Sequence, residues 1–282
     1  MKTYKYIFII TTSLLIIACK KPNVSENKNE IKNTTIKEKI IQSAISSAAR
    51  NAGVINWQEV YDKISDSLAG IFGFSTYRSF FTNYTNGRIQ GSYRSPFISQ
   101  GQSVILNSVT NLAAVDTYNF LLNSDAAIIP LYGNSVNIDI GFRINNNQYV
   151  GSKSMELCSK LEILSDNNFS TGQGILQNGT SISWTLDNSN TDSYIIVAIT
   201  YDPNDIDNAQ IGSTDPIYNN FLLADNGNYI FTTEDIKMFP DDAFVKINFY
   251  RLQFTIGTHV QSERDFAFGG YSCFQLSGRI NR

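Results

Sequence analysis

The chain has 282 residues, of which 42% are hydrophobic and 17% are charged, and its formal net charge is −3. The hydrophobic fraction is sufficient for a folded core, which excludes a wholly disordered chain. The slightly acidic balance excludes the basic footprint of a nucleic-acid binder, and one histidine with three cysteines leaves few ways to build a metal site. We therefore expect no nucleic acid, metal or other cofactor as a partner.

The N-terminal segment has the pattern of a cleaved signal. Lys2 and Lys5 precede an apolar stretch over 7–17, which is too short to span a bilayer. The stretch leads into the sequence LIIAC, which resembles the lipobox of bacterial lipoproteins. This resemblance implies that the sulfur of Cys19 receives a diacylglyceryl group and that a peptidase then removes residues 1–18. An ordinary signal peptide and an uncleaved membrane anchor are the alternatives.

A lipid on Cys19 would attach the protein to a membrane, since each buried methylene contributes about 0.8 kcal/mol. Lys20 stands where enteric lipoproteins of the inner membrane carry aspartate, so we expect an outer-membrane lipoprotein that faces the periplasm or the cell surface. Residues 20–33 are almost devoid of apolar side chains and rich in charged and amide groups. We therefore assign 19–34 to the lipidated cysteine and a flexible tether.

Two segments after the tether show the apolar spacing of helices. Each begins with a capping box, formed by Thr35 with Glu38 and by Asn56 with Glu59. The first helix is predicted over 35–51, and the apolar stripe of the second continues through Leu68 and Ile71. Together they predict a small αα-hairpin over 35–73.

The remaining body, 74–282, is predicted to be rich in β-strands. Apolar and polar residues alternate near 136–142, 155–161, 182–186 and 245–249, and a last strand is predicted at 272–276. The segment 194–201 is apolar almost throughout, as in a central strand that is covered on both faces. Clusters of Asp, Asn and Ser separate these segments, so the pattern predicts an antiparallel β-sandwich.

A family resemblance makes this fold more specific. The SWTLD motif at 183–187, the FTTEDI turn at 231–236 and the arginine-containing strand at 245–251 resemble the C-terminal half of uncharacterised envelope lipoproteins from the Bacteroidetes. The resemblance implies an immunoglobulin-like sandwich over about 175–282 and supplies no activity. The expected fold is therefore mainly β, an antiparallel immunoglobulin-like sandwich preceded by the αα-hairpin.

Two cysteines remain if Cys19 is lipidated. Strand alternation would place Cys158 and Cys273 on the same outer face, and the bacterial envelope is an oxidising compartment. They form a candidate disulfide, which would close a loop of about 115 residues. Free, half-buried thiols are the alternative.

The stretch 72–97 combines many aromatic residues with arginines and contains the tripeptide Tyr-Arg-Ser twice. Aromatic rings beside guanidinium groups suit glycan stacking or a protein hot spot. The candidate binding surface consists of Tyr77, Arg78, Tyr84, Tyr93 and Arg94. The alternative is that these rings are buried between the helical hairpin and the sandwich.

Catalytic motifs are weak in comparison. His259 has no nucleophile motif around it, and the run at 202–208 lacks a ligand and the glycine of a calcium loop. The acid pairs at 234–235 and 241–242 lie beside turn signals, where carboxylates act as caps.

We therefore assign no catalytic, cofactor-binding or metal-binding residue. The sequence favours a membrane-anchored envelope lipoprotein with a non-catalytic binding or structural role, and with an envelope protein or a glycan as its partner. The alternative is a carboxylate-dependent glycan hydrolase or another envelope enzyme, in which folding would bring Asp139 or Glu162 close to a second acid.

Overall fold

A computed structural model describes most of the chain after residue 23. The described residues are 24–51, 55–64, 68, 70–79, 83–93, 104–106, 110–114, 119–144, 147–165, 168–169, 173–187, 192–213, 215–259 and 263–282. The predicted signal segment 1–18, the lipidation site Cys19 and the candidate binding residue Arg94 lie outside them.

Two helices form the N-terminal part of the described chain. Helix α1 spans Val24–Arg50 and helix α2 spans Trp57–Ile64. The side chain of Asn56 caps α2, because its Oδ1 accepts a hydrogen bond from the Gln58 amide at 3.0 Å. None of the described helices is both long enough and apolar enough to cross a membrane.

The helix boundaries differ from the sequence-based ones at two places. Helix α1 begins at Val24 and not near Thr35, so part of the predicted tether is helical. No proline or glycine interrupts 24–50, and lysine and glutamate are good helix formers. Helix α2 ends at Ile64, and Ile71, a residue of its predicted apolar stripe, lies in the first strand.

Fifteen strands follow among the described residues. They are β1 (Gly70–Ser79), β2 (Thr85–Tyr93), β3 (Val104–Leu106), β4 (Thr110–Ala114), β5 (Asn119–Asn123), β6 (Ser135–Ile144), β7 (Asn147–Glu156), β8 (Ile163–Ser165), β9 (Gly174–Leu176), β10 (Ser181–Trp184), β11 (Tyr194–Tyr201), β12 (Ile217–Ala224), β13 (Asn228–Ile230), β14 (Phe244–His259) and β15 (Arg264–Ile280). Two short helices, α3 (Asp125–Ile128) and α4 (Thr233–Ile236), lie between strands.

The strands form one large sheet and one small sheet. The large sheet has the order β12-β11-β14-β15-β1-β2-β5-β4-β3-β6-β7, and β9 is added beside β15. The small sheet has the order β13-β10-β8. Because β1 and β9 both pair with β15 in parallel, the large sheet is mixed and not wholly antiparallel. The structure thus confirms a mainly β chain with a small N-terminal helix pair.

The central strands of the large sheet are covered on both faces. Helices α1 and α2 pack on one face of β11, β14 and β15, where the core includes Ile196 and Ala198. The small sheet packs on the other face, where the core includes Ile195 and Val197. These alternating residues of β11 confirm the predicted central strand. A third cluster fills the space between β1, β2, β6, β7 and the start of β15.

A buried ion pair joins β14 to the turn that follows β12. Arg251 Nε lies 2.7 Å from Asp225 Oδ2, and the side chains are 0% and 4% exposed. Asp225 also accepts hydrogen bonds from Trp184 Nε1 and Ser193 Oγ, both at 2.8 Å, and Arg251 donates to Ser159 Oγ at 2.9 Å. The predicted burial of Trp184 is confirmed by its exposure of 1%.

The candidate disulfide between Cys158 and Cys273 is not formed, and both thiols are free and buried. Strand β7 ends at Glu156, so strand alternation does not extend to Cys158. Its Sγ instead lies 3.6 Å from the carbonyl oxygen of Arg251, whereas Cys273 belongs to the core beneath the helices. Burial raises the pKa of both thiols well above the usual 9.0.

Candidate functional site

A cleft of about 1000 Å³ opens on the helix-bearing face of the large sheet. We call it the polar cleft. Its lining comes from β1 at 75–77, β2 at 86–88, β14 at Asn248 and Tyr250, β15 at Tyr271, Cys273 and Gln275, and the turn at 123–126. The start of α2 lies next to it, because the Tyr271 hydroxyl donates to the Ile55 carbonyl at 3.2 Å.

Strand register brings the lining side chains to one face. Residues directly opposite each other on paired strands point to the same side of a sheet. Tyr77 of β1 is opposite Cys273 of β15, which is opposite Tyr250 of β14. Gln275 is likewise opposite Asn248, so the lining residues of three neighbouring strands converge on this face.

A hydrogen-bonded relay crosses these three strands. The Tyr77 hydroxyl donates to Gln275 Oε1 at 2.6 Å, and Gln275 Nε2 donates to Asn248 Oδ1 at 3.0 Å. Burial, and then the neighbouring Cys273, raises the pKa of Tyr77 from 10.0 to about 12. Tyr77 therefore remains a neutral hydrogen-bonding group at physiological pH.

Two tyrosines form a rigid floor. Tyr250 and Tyr271 pack edge to face, with ring centroids 5.3 Å apart, and Trp57 stacks on Tyr271 at 5.9 Å. Trp57 can lie close to the sheet because its neighbour is Gly73, where a Cβ would lie 2.3 Å from the indole ring. Burial raises the pKa of both tyrosines well above 10.0.

Arg88 and Asp125 are the charged residues of the lining. Asp125 Oδ1 accepts a hydrogen bond from the Gly87 amide at 2.7 Å, and the Ser124 amide donates to the Gly87 carbonyl at 2.8 Å, which fixes the turn against β2. Arg88 is exposed and forms no ion pair with any carboxylate of the described chain. Its positive charge lowers the pKa of Tyr271 and so opposes part of the rise that burial causes.

The structure divides the predicted binding surface. Tyr77 lines the polar cleft, but Arg78 lies on the opposite face of β1, where it pairs with Glu162 and lies over the ring of Tyr84. Consecutive strand residues point to opposite faces, which separates Tyr77 from Arg78. Tyr93 ends β2, and its side chain lies outside the described part of the chain.

Arg78 and Tyr84 form a packing cluster and not an open surface. The Arg78 guanidinium lies 5.5 Å from the ring centre of Tyr84 and 5.2 Å from that of Phe274. The Tyr84 hydroxyl donates a hydrogen bond to the Leu161 carbonyl, and it accepts one from the Ser272 hydroxyl at 3.5 Å. The cluster lies on the face of β1 and β15 opposite to the helices, not between the helices and the sheet.

The candidate catalytic acids are held by local partners. Glu162 pairs with Arg78, and Asp139 accepts a hydrogen bond from the Ser152 hydroxyl. Asp235 forms the capping box of α4, as its position beside a turn indicates. In the described ranges, no three His, Cys, Asp or Glu residues form a cluster that could hold a metal ion.

Sequence reasoning did not identify Arg88, Asn248 or Gln275 as site residues. The sequence gives little signal for two of them, because Asn248 and Gln275 occupy polar positions of strand sequences, where solvent-facing side chains are expected. Asn248 is 2% exposed, and a polar residue at such a position needs hydrogen-bonding partners. Only the strand register shows that Asn248 of β14 lies opposite Gln275 of β15.

Comparison with known proteins found no matching family model and no matching curated protein. The polar cleft is therefore the feature of the molecule that points to a function.

Proposed function

We propose that the protein is a membrane-anchored lipoprotein of the outer membrane, facing the periplasm or the cell surface, that binds a ligand in the polar cleft without transforming it. The cleft is the observation that carries this proposal. Its volume lies at the upper end of the range of about 300–1,000 Å³ that is typical of small-molecule sites. Its floor and relay are held in place by contacts within the protein, which reduces the ordering cost of binding.

The chemistry of the lining favours binding over catalysis. An acid–base catalyst works best when its pKa is near the working pH, and a nucleophile needs an activating base. The pKa values of Tyr77, Tyr250, Tyr271 and Cys273 are all raised, so these groups remain neutral. Asp125 accepts a hydrogen bond from a backbone amide that fixes the turn. The described lining thus supplies fixed donors and acceptors.

The immunoglobulin-like interpretation of residues 175–282 is part of the proposal. Its support is the packing of the small sheet on β11 and β14, with Trp184 of β10 lying 5.8 Å from Phe249 of β14 between ring centres. A sandwich of this kind is a rigid scaffold that presents strands and loops for recognition.

The lipid anchor is tested by metabolic labelling with a fatty acid. Replacing Cys19 with alanine removes the sulfur that the lipid needs, and the peptidase acts only after lipidation, so the variant should incorporate no label and should keep residues 1–18. Replacing Lys20 with alanine is the matched control and should leave labelling and cleavage unchanged. Equal labelling of the two variants would contradict the lipidation proposal.

Ligand binding is tested with the full chain purified in detergent. A panel of saccharides and peptides is screened by the shift in melting temperature, and each hit is repeated with Gln275→Ala, which breaks the relay. Gln177→Ala is the control, since Gln177 is exposed and does not line the cleft. We expect the shift to disappear in Gln275→Ala and to persist in the control.

Two outcomes would contradict the proposal. A ligand whose shift is equal in wild type and Gln275→Ala binds elsewhere. Turnover of a glycan or peptide by the purified protein, lost when a single carboxylate is changed, would show that the protein is an enzyme.

A further inference from the structure

The lining of the polar cleft restricts the chemistry of its ligand. Among the described lining residues, Ala126 carries the only aliphatic side chain. An apolar ligand would exclude water from exposed amide side chains of the lining, such as Asn86 and Asn123, without giving them new partners, which is unfavourable. A ligand that fits must itself carry many hydrogen-bonding groups.

Amide and hydroxyl side chains are frequent among the described lining residues, beside the tyrosine rings, and both groups donate as well as accept hydrogen bonds. Asn86, Asn123 and Gln275 belong to the amides, and Ser75 and Ser124 to the hydroxyls. A sugar ring presents several hydroxyl groups of the same dual character at close spacing. The partly exposed ring of Tyr77 adds an aromatic surface beside them.

The charges of the cleft add one requirement. Asp125 Oδ1 accepts a hydrogen bond from the Gly87 amide, whereas the exposed Arg88 forms no ion pair within the described chain. A guanidinium binds a carboxylate through two parallel N–H···O hydrogen bonds. A neutral ligand would leave this capacity unused.

We propose that the ligand of the polar cleft is an acidic saccharide, whose hydroxyls bind the amides and hydroxyls of the lining and whose carboxylate binds Arg88. This inference rests on the proposed binding function and specifies its ligand class.

The test uses matched pairs of saccharides on the full chain in detergent. Each pair consists of a uronic-acid or sialic-acid oligosaccharide and its carboxyl-reduced neutral counterpart, and affinity is measured by calorimetry. We expect at least one acidic member to bind more tightly than its neutral counterpart. Raising the salt concentration should reduce that difference, because screening weakens an exposed ion pair.

Variants at Arg88 test whether its guanidinium binds the carboxylate of the ligand. Arg88→Gln should weaken binding of the acidic member roughly tenfold and leave its neutral counterpart unchanged, since hydrogen bonds to charged groups are among the strong ones. Arg88→Lys should restore part of the affinity, because it keeps the charge and loses the paired geometry. Arg279→Gln, which removes a guanidinium outside the cleft, is the control. Unchanged melting temperatures show that the variants are folded.

The outcomes separate the two proposals. If ligands bind through Gln275 but acidic and neutral members bind equally, or Arg88→Gln has no effect, the acidic-saccharide inference is wrong and the binding function stands. If only peptides bind through the cleft, the saccharide class is wrong. If no ligand of either panel binds there, both proposals fail.

Discussion

Asp225→Asn tests how strongly the buried ion pair of Asp225 and Arg251 stabilises the fold. The substitution keeps the shape of the side chain and removes the negative charge beside Arg251, whose side chain is 0% exposed. Breaking a buried pair by removing one partner costs about 3–5 kcal/mol. The hydrogen bonds that Arg251 keeps, such as the one to Ser159 Oγ, do not replace the lost negative charge. The cost is a large share of the roughly 5–15 kcal/mol by which domains are stable.

The free energy of unfolding is measured by urea titration of the Cys19→Ala protein. The chain has two tryptophans, and Trp184 donates a hydrogen bond to Asp225, so its fluorescence reports on this site. Asp225→Asn should lower the urea midpoint without changing the slope. Glu234→Gln is the control, since the exposed Glu234–Lys237 pair contributes less than about 1 kcal/mol.

A double variant separates charge burial from packing. Asp225→Leu together with Arg251→Met replaces the pair by apolar side chains, and such replacements are often neutral or stabilising. The double variant should therefore be more stable than Asp225→Asn. If Asp225→Asn is no more destabilising than Glu234→Gln, then Arg251 is not desolvated and the reasoning fails.

Three further predictions follow from burial. Trp184→Ala should destabilise the protein by about 3–5 kcal/mol in the same urea titration, and a wild-type midpoint would show that Trp184 is exposed. Cys158 and Cys273 should not react with a thiol reagent in the native protein and should both react after unfolding without a reductant; a reductant requirement would reveal a disulfide. Tyr77 binds its proton more tightly in the folded state, so its contribution to stability is complete below pH 10.0 and is lost as the pH rises towards about 12. Tyr77→Phe should make the free energy of unfolding less dependent on pH in that interval, and an unchanged pH dependence would contradict the assignment.

Strong local patterns predicted strands well. The run 194–201 was predicted as a central strand, and β11 occupies the same residues with core on both faces. The alternation at 245–249 lies within the longer β14. In such segments the spacing of apolar residues matches the faces of the strand that are buried, so the pattern predicts both the strand and its burial.

Pairing between distant segments was not predictable. The segment that forms β1 was assigned partly to the end of a helix and partly to an aromatic patch, although it pairs in parallel with β15 over Gly70↔Phe266 to Ser79↔Gln275. Nothing in the local pattern specifies a partner almost 200 residues away. The polar cleft depends on this pairing, because it places Tyr77 beside Gln275.

The anchor and the cleft are related through α1. If Cys19 is lipidated, only the four residues 20–23 lie between the lipidated cysteine and the start of α1 at Val24. An α-helix rises about 1.5 Å per residue, so the 27 residues of α1 span about 40 Å. The far end of α1 contacts the start of α2, since Ser47 Oγ accepts a hydrogen bond from the Asn56 amide, and that start borders the polar cleft through Ile55 and Trp57. The cleft therefore lies at the end of α1 that is far from the lipid. If α1 also points away from the membrane, the cleft opens to the aqueous phase, which suits a ligand that arrives from solution and agrees with the amide and hydroxyl side chains of the lining.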